Sequence, residues 1–260
     1  MKKVLNMVFL LLPLNLLGDW VLQQSGVNNN LSDVYFVDAM HGWVAAGSDS
    51  GRGLILRTTD GGKNWEKVHT DSANIMCVGF FDSLEGWAGG QGPTNYYQMS
   101  SWAYSVLFHT TDGGQTWNKS KDMNSDEFRA STSLWYHFFI WIHRIHIVNS
   151  TYGFYMLSKY YEDNGSFYNM VGVHSLDGVH HWQDYNSFIH GLDLCFIDSL
   201  HGWVLKTDGG SNSYSQVLYI EKGIESLAVI SVVDSSRYVM SGGSMDFVDS
   251  LHGWVILEKM

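Results

Sequence analysis

Short runs of alternating apolar and polar residues, each halted by a cluster of turn-forming residues, recur along this chain. Five runs finish on nearly one phrase: Asp38-Ala-Met-His-Gly-Trp43, Asp82-Ser-Leu-Glu-Gly-Trp87, Asn149-Ser-Thr-Tyr-Gly-Phe154, Asp198-Ser-Leu-His-Gly-Trp203 and Asp249-Ser-Leu-His-Gly-Trp254. The Asp or Asn anchors stand 44, 67, 49 and 51 residues apart, which is the length of a four-stranded blade and longer than a helical-pair or leucine-rich unit. The first unit predicts strands over 33–37, 42–47, 53–58 and 65–69. The pattern therefore predicts an all-β chain, a β-propeller of four-stranded blades with about four complete blades and a partial fifth. Its units fall at about 19–70, 71–120, 140–186, 190–233 and 244–260. The fifth shows two strands, over 245–248 and 253–258, so this reading takes the sequence as a fragment of a larger propeller. Residues 20–24 fit a fourth strand that would help close such a ring.

A second signature follows the first: Arg57-Thr-Thr-Asp60-Gly-Gly62-Lys-Asn-Trp65, His109-Thr-Thr-Asp112-Gly-Gly114-Gln-Thr-Trp117 and the looser Ser175-Leu-Asp177-Gly178-Val-His-His-Trp182. The Asp carboxylate suits backbone amides of its own turn, glycine supplies positive φ, and the Trp buries its ring against the neighbouring strand. Asp60, Asp112 and Asp177, with Gly62, Gly114, Trp65, Trp117 and Trp182, are read as structural. Acid–base chemistry needs two groups on one substrate, whereas one carboxylate per blade spreads them around a rim. His41, His201 and His252 occupy one repeat position and are read as turn residues.

Both signatures together resemble the BNR/Asp-box propellers, and in particular the photosystem II stability/assembly factor-like group. The resemblance covers about residues 19–260, is strongest in the first two units, and weakens in the fourth, where 219–227 lacks the Asp and Trp. It implies an exported, non-catalytic binding scaffold. Sialidases and some endoglucanases also carry Asp boxes. The resemblance to sialidases would imply three arginines on a carboxylate and a Tyr–Glu pair, but Arg52, Arg57, Arg129, Arg144 and Arg237 do not fall in the Arg-Ile-Pro context of that group. A glycoside hydrolase or a glycan-binding module stands as the alternative.

Composition narrows the partners. A formal charge of -11 without a basic run disfavours nucleic acid and anionic membrane surfaces. Lys2 and Lys3 followed by an apolar stretch to Leu17 read as a signal peptide over 1–18, predicting export to the periplasm or beyond the cell and no stable membrane insertion after cleavage. Cys77 and Cys195 fall in first strands of the second and fourth units and read as buried, unpaired thiols. Neither they nor His143 and His146, which strand alternation would place on opposite faces, suggest a metal site, and no cofactor is expected.

Two stretches break the repeat and carry the binding expectation. Residues 91–104 hold Tyr96, Tyr97, Trp102 and Tyr104 in a connection between the second and third strands of the second unit. Residues 119–147 bring Trp135 and Tyr136 before the third unit. Such aromatics suit a protein partner or a stacked glycan, or else they belong to the blade core or cover an edge.

Overall fold

The computed structural model describes residues 22–47, 52–97, 100–103, 105–119, 138–149, 153–161, 166–171, 191–207, 215–220 and 240–259. Among these the only regular elements are strands. The first sheet orders β1 (Asn30–Phe36), β2 (Gly42–Gly47), β3 (Gly53–Thr58) and β4 (Glu66–Asp71). The second pairs β5 (Asn74–Phe80), β6 (Gly86–Gln91), β9 (Ser105–Thr110) and β10 (Asn118–Lys119). The third contains β11 (Phe138–Ile147), β12 (Gly153–Tyr161) and β13 (Ser166–Val171), extended by β8 (Ser100–Ala103) and β7 (Asn95–Tyr97). β14 (Gly191–Phe196), β15 (Gly202–Thr207) and β16 (Ser215–Ile220) form the fourth, and β17 (Met240–Phe247) with β18 (Gly253–Lys259) the fifth. Successive first strands contact one another, as β-propeller blades do around an axis.

The recurring phrase has a physical reason at each position. Asp38 Oδ1 accepts the backbone N–H groups of Met40 (2.7 Å) and His41 (2.8 Å), which fixes the turn between β1 and β2. Asp82, Asp198 and Asp249 do the same in their sheets. The glycine is required by packing. Phe36 pairs with Gly42 across the strands, and a Cβ there would lie 2.6 Å from the Phe36 ring. Phe80, Phe196 and Phe247 cover Gly86, Gly202 and Gly253 in the same way. The Trp after the glycine faces the next sheet: Trp43 stacks on Phe80 at 3.5 Å and 9°, and Trp203 on Phe247 at 3.9 Å and 3°. Trp117 meets the edge of Phe80 at 5.8 Å, so three rings close one junction. Trp43, Ala45, Ile55, Ile75, Val78 and Phe80 lie in the core between the first two sheets.

The expected fourth strand over 20–24 is corrected where it can be read. Residues 22–24 form no strand and Leu22 is exposed, while the Gln23 side chain lies near the turn at Gly62. Residues 1–21, which hold the expected signal segment, lie outside the described residues. No helix is long and apolar enough to cross a membrane among the described residues.

Candidate functional site

The two faces of the blade arc are built differently. Gly61 N–H donates to Met40 O (3.0 Å) and Gly113 N–H to Leu84 O (2.7 Å), so each Asp-box turn sits on the β1–β2 type turn of its own sheet. Antiparallel alternation then sends the connections between second and third strands to the opposite face.

On the turn face, Thr58 Oγ1 accepts Gly62 N–H (2.9 Å) and donates to Asp60 (2.8 Å), which in turn accepts Asn64 N–H (3.0 Å). Thr110, Asp112, Gly114 and Thr116 repeat this geometry. Gly62 and Gly114 have φ of 84° and 85°, which few side-chain-bearing residues adopt. The backbone N–H of Asn64, then its side-chain amide and Thr58, hold the Asp60 carboxyl at about 2. At Asp112 slight burial works the other way, but bonds from Thr116 and Thr110 still hold it at about 2. Trp65 meets the edge of Phe36 at 6.0 Å, and Trp43 Nε1 donates to Gly113 O (3.0 Å), tying the second Asp-box turn to the first sheet. Asp177 and Trp182 lie outside the described residues. His41, His201 and His252 each place Nδ1 within 2.7 to 2.9 Å of the anchor carboxylate in their own turn.

On the opposite face, residues 95–103 leave the second sheet as a hairpin and join the third. β8 runs parallel to the start of β11, with Trp102 opposite Phe138 and Ala103 opposite Phe139. Phe138 is also the register partner of Tyr161, and Phe139 of Tyr160, which pairs with Phe167. Tyr96 pairs with Ser101 and Tyr97 with Ser100 in the hairpin. The sequence placed these aromatics in a plain connection, and the structure makes Tyr96, Tyr97 and Trp102 strand positions of an added sheet margin. Phe138, Phe139 and Trp141 are likewise within β11. Tyr104, Trp135 and Tyr136 lie outside the described residues.

Between the faces, the first strands converge on a polar cluster that sequence reading missed. Arg144 donates from Nε and Nη2 to the two oxygens of Asp193 at 2.6 and 2.7 Å, and from Nη2 to Ser244 Oγ at 2.8 Å. Its Nη1 stands 4.0 Å from Asp33. Asp193 also accepts Leu194 N–H (2.8 Å), Met245 N–H (2.7 Å) and Ser244 O–H (2.9 Å). Asp33 accepts Val78 N–H at 3.0 Å. Every member stands five residues before its anchor: Asp33, Arg144, Asp193 and Ser244, with Cys77 at the same place in the second unit. Four first strands share a register shift that skips the residue just before this position (Ser32, Met76, His143 and Leu192). In β17 the shift comes slightly earlier, between Met240 and Gly243. Such bulges turn the following side chain out of the regular pleat.

Burial is the main influence on Asp33 and raises its carboxyl pKa, against the Val78 N–H and the Arg144 charge. The bond to Asp193 pushes the Arg144 guanidinium further up. Burial, then the neighbouring Arg144, lowers His143 to about 4, so its ring is neutral at pH 7. Burial also lowers His146, whose Nε2 lies 2.6 Å from Phe196 O. Because His143 is the skipped residue of the bulge, simple alternation does not govern it, and Arg144 and His146 fall on one face. Cys77 and Cys195 are free and buried, and burial pushes the Cys195 thiol to about 11 and that of Cys77 well up. Among the described residues no group of His, Cys, Asp and Glu converges in a way that could hold a metal ion.

Residues 13–127 match the family described as Photosynthesis system II assembly factor YCF48. The photosystem II assembly lipoprotein Ycf48 of Synechococcus sp. (strain CC9902) is 33% identical over 94 residues, which are 35% of this chain and 23% of that protein. This chain thus spans about a quarter of that relative's length. Among solved structures, the GH93 alpha-L-arabinofuranosidase of Fusarium graminearum with arabinobiose superposes with a TM-score of 0.50 at 10% identity, covering 88% of this chain and 74% of that one. YCF48 from Cyanidioschyzon merolae gives 0.39 at 14% identity, over 88% of this chain and 80% of that one. The fold is an all-β propeller type, and its BNR-type repeat is similar to that of the photosystem II assembly factor group.

Proposed function

We propose that this chain, an Asp-box propeller similar to photosystem II assembly factors, is an exported, non-catalytic scaffold that binds a protein partner on the face opposite its Asp-box turns. The observation that carries this reading is the hairpin β7–β8. It abandons its own sheet to pair with β11, which builds a strand margin with Trp102, Phe138 and Tyr161 in one register row. Aromatic residues gathered at neighbouring strand positions suit a protein hot spot. The Synechococcus relative's role as a photosystem II assembly lipoprotein supports a partner that is itself a protein under assembly. That relative is called a lipoprotein, which supports export to the outer side of a membrane.

The chemistry of the buried carboxylates favours the scaffold over hydrolysis. A glycosidase acid and its partner face each other across a gap that the sugar enters. Here Arg144 stands between Asp33 and Asp193, and both carboxylates accept backbone N–H groups of the framework. The test is affinity capture from the native envelope, with wild-type protein beside a variant in which 95–103 is replaced by a short glycine-serine turn. The reading expects one or a few envelope proteins to be retained by the wild type and lost with the variant. Equal capture by both would overturn the assigned face. Turnover of an arabinan or other glycan by the wild type, abolished in Asp193→Asn, would overturn the non-catalytic reading.

A further inference from the structure

The anchor turns hold one side chain out to solvent in sheet after sheet. Met40, Leu84 and Leu200 stand two residues after their anchors and are 47%, 57% and 51% accessible. In each case the anchor carboxylate accepts the backbone N–H of this residue at 2.7 Å. The turn uses only its backbone, so the fold has no need of a large apolar side chain there. A neighbouring sheet does not cover the position either. Leu84 and Leu200 belong to interior sheets with a described sheet packed on each side. Met40 stays open although its own Asp-box turn donates to its carbonyl and the Asp-box turn of the second sheet is tied to Trp43. Phe81, exposed beside its anchor and fixed by its N–H on Glu85 O at 2.9 Å, adds a ring to the turn of Leu84.

These apolar tips stand in an acidic surround. The anchor and Asp-box turns of the first two sheets carry Asp38, Asp60, Asp82, Glu85 and Asp112 against the half-buried Arg57 and Lys63. We propose that the turn face is a second interaction surface, which takes a cationic, amphipathic segment of a protein: its apolar side chains seat on Met40 and Leu84, and its lysines or arginines meet the carboxylates around them. Charge decides the occupant. The same carboxylates repel an anionic membrane surface or a nucleic acid, and a neutral apolar partner would leave them without counter-charges. Each tip is already fixed by the hydrogen bond of its backbone to the anchor, so little ordering of this surface opposes docking. The proposal does not rest on the hairpin β7–β8, which lies on the other face.

The experiment is fluorescence anisotropy of a labelled short peptide of leucine and lysine at helical spacing, titrated with the full chain at low and high salt. A peptide with glutamate in place of lysine runs beside it, and flotation with phosphatidylcholine vesicles tests a lipid surface. The protein variant is Met40→Ser with Leu84→Ser, two exposed sites whose backbone bonds to the anchors survive the change. The lysine peptide is expected to bind the wild type, more weakly as salt rises, and at least about tenfold more weakly to the variant, because two apolar contacts are lost while the charge stays the same. The glutamate peptide should stay free. A wild type that does not bind the lysine peptide, equal affinity of wild type and variant, or equal binding of the two peptides overturns the proposal. So does flotation of the wild type that the variant loses, which would make the occupant a lipid surface. Replacing 95–103 with the glycine-serine turn should leave the peptide affinity unchanged; a loss there would move the site to the hairpin and overturn this one.

Discussion

The rim of this propeller and its centre both depend on aspartate, and they use it in opposite ways. At the rim, Asp60 and Asp112 are partly exposed and satisfied within four residues of themselves by the turn they organise. At the centre, Asp193 is buried and satisfied by Arg144 from one sheet and by Ser244 and Met245 from another, 49 to 52 residues away in the chain. A rim carboxylate shapes one loop. A central carboxylate decides whether three sheets can share one space.

The difference can be broken first at Arg144. Arg144→Met should cost about 3–5 kcal/mol, because it removes the guanidinium that is paired with the buried Asp193 side chain, and urea unfolding would register this as a large drop in midpoint. Asp193→Asn should cost about 2–3 kcal/mol, since the amide oxygen can still take the Met245 N–H but the guanidinium loses its anion. Asp33→Asn, by contrast, should stay within about 1 kcal/mol, as Arg144 lies 4.0 Å away and burial already disfavours the charge. Equal costs for the two Asn variants would show that the clasp does not centre on Asp193. At the rim, Thr58→Val should cost about 1–3 kcal/mol by leaving the Gly62 N–H unpaired, with no effect on the contacts of the centre. Near-UV circular dichroism of Trp43 and its neighbours would report any spread beyond the turn.

Acid separates the two regions by sign. Asp60 and Asp112, held at about 2 against an ordinary value of 3.8, contribute stability that is intact above pH 3.8 and fades as pH falls through about 2. Asp33 has a raised pKa, so its ionised form is a cost to the folded state, and that cost is relieved as pH falls. Unfolding midpoints between about pH 5 and 2 should therefore fall less steeply in Asp60→Asn/Asp112→Asn and more steeply in Asp33→Asn. This is the smallest of the expected effects.

What sequence could and could not show follows the same division. The turns were legible because each is closed by residues within a few positions of one another, as Thr58, Asp60, Gly62 and Asn64 are. Strands predicted over 42–47 and 53–58 coincide with β2 and β3, whose alternation and glycine boundaries are local. The central cluster was illegible because its members share a repeat position but vary in residue type, and only folding brings them together. The hairpin β7–β8 was misplaced as a plain connection for a related reason: its pairing partner, β11, begins more than thirty residues later in the chain. A signal existed for the cluster. Aligning the five units on their anchors puts an arginine and two aspartates in one column of the first strands, with a cysteine and a serine.

That column has a consequence for how such a chain can be rearranged. Trp-on-Phe junctions are alike, so a gene shuffled in blade order would preserve the stacking at several seams. The residues at the centre differ from each neighbouring unit to the next, and Asp193 needs the arginine of the unit before it and the serine of the unit after it. Blade order is thus recorded at the axis alone, and a permuted chain would assemble its walls and fail in the middle.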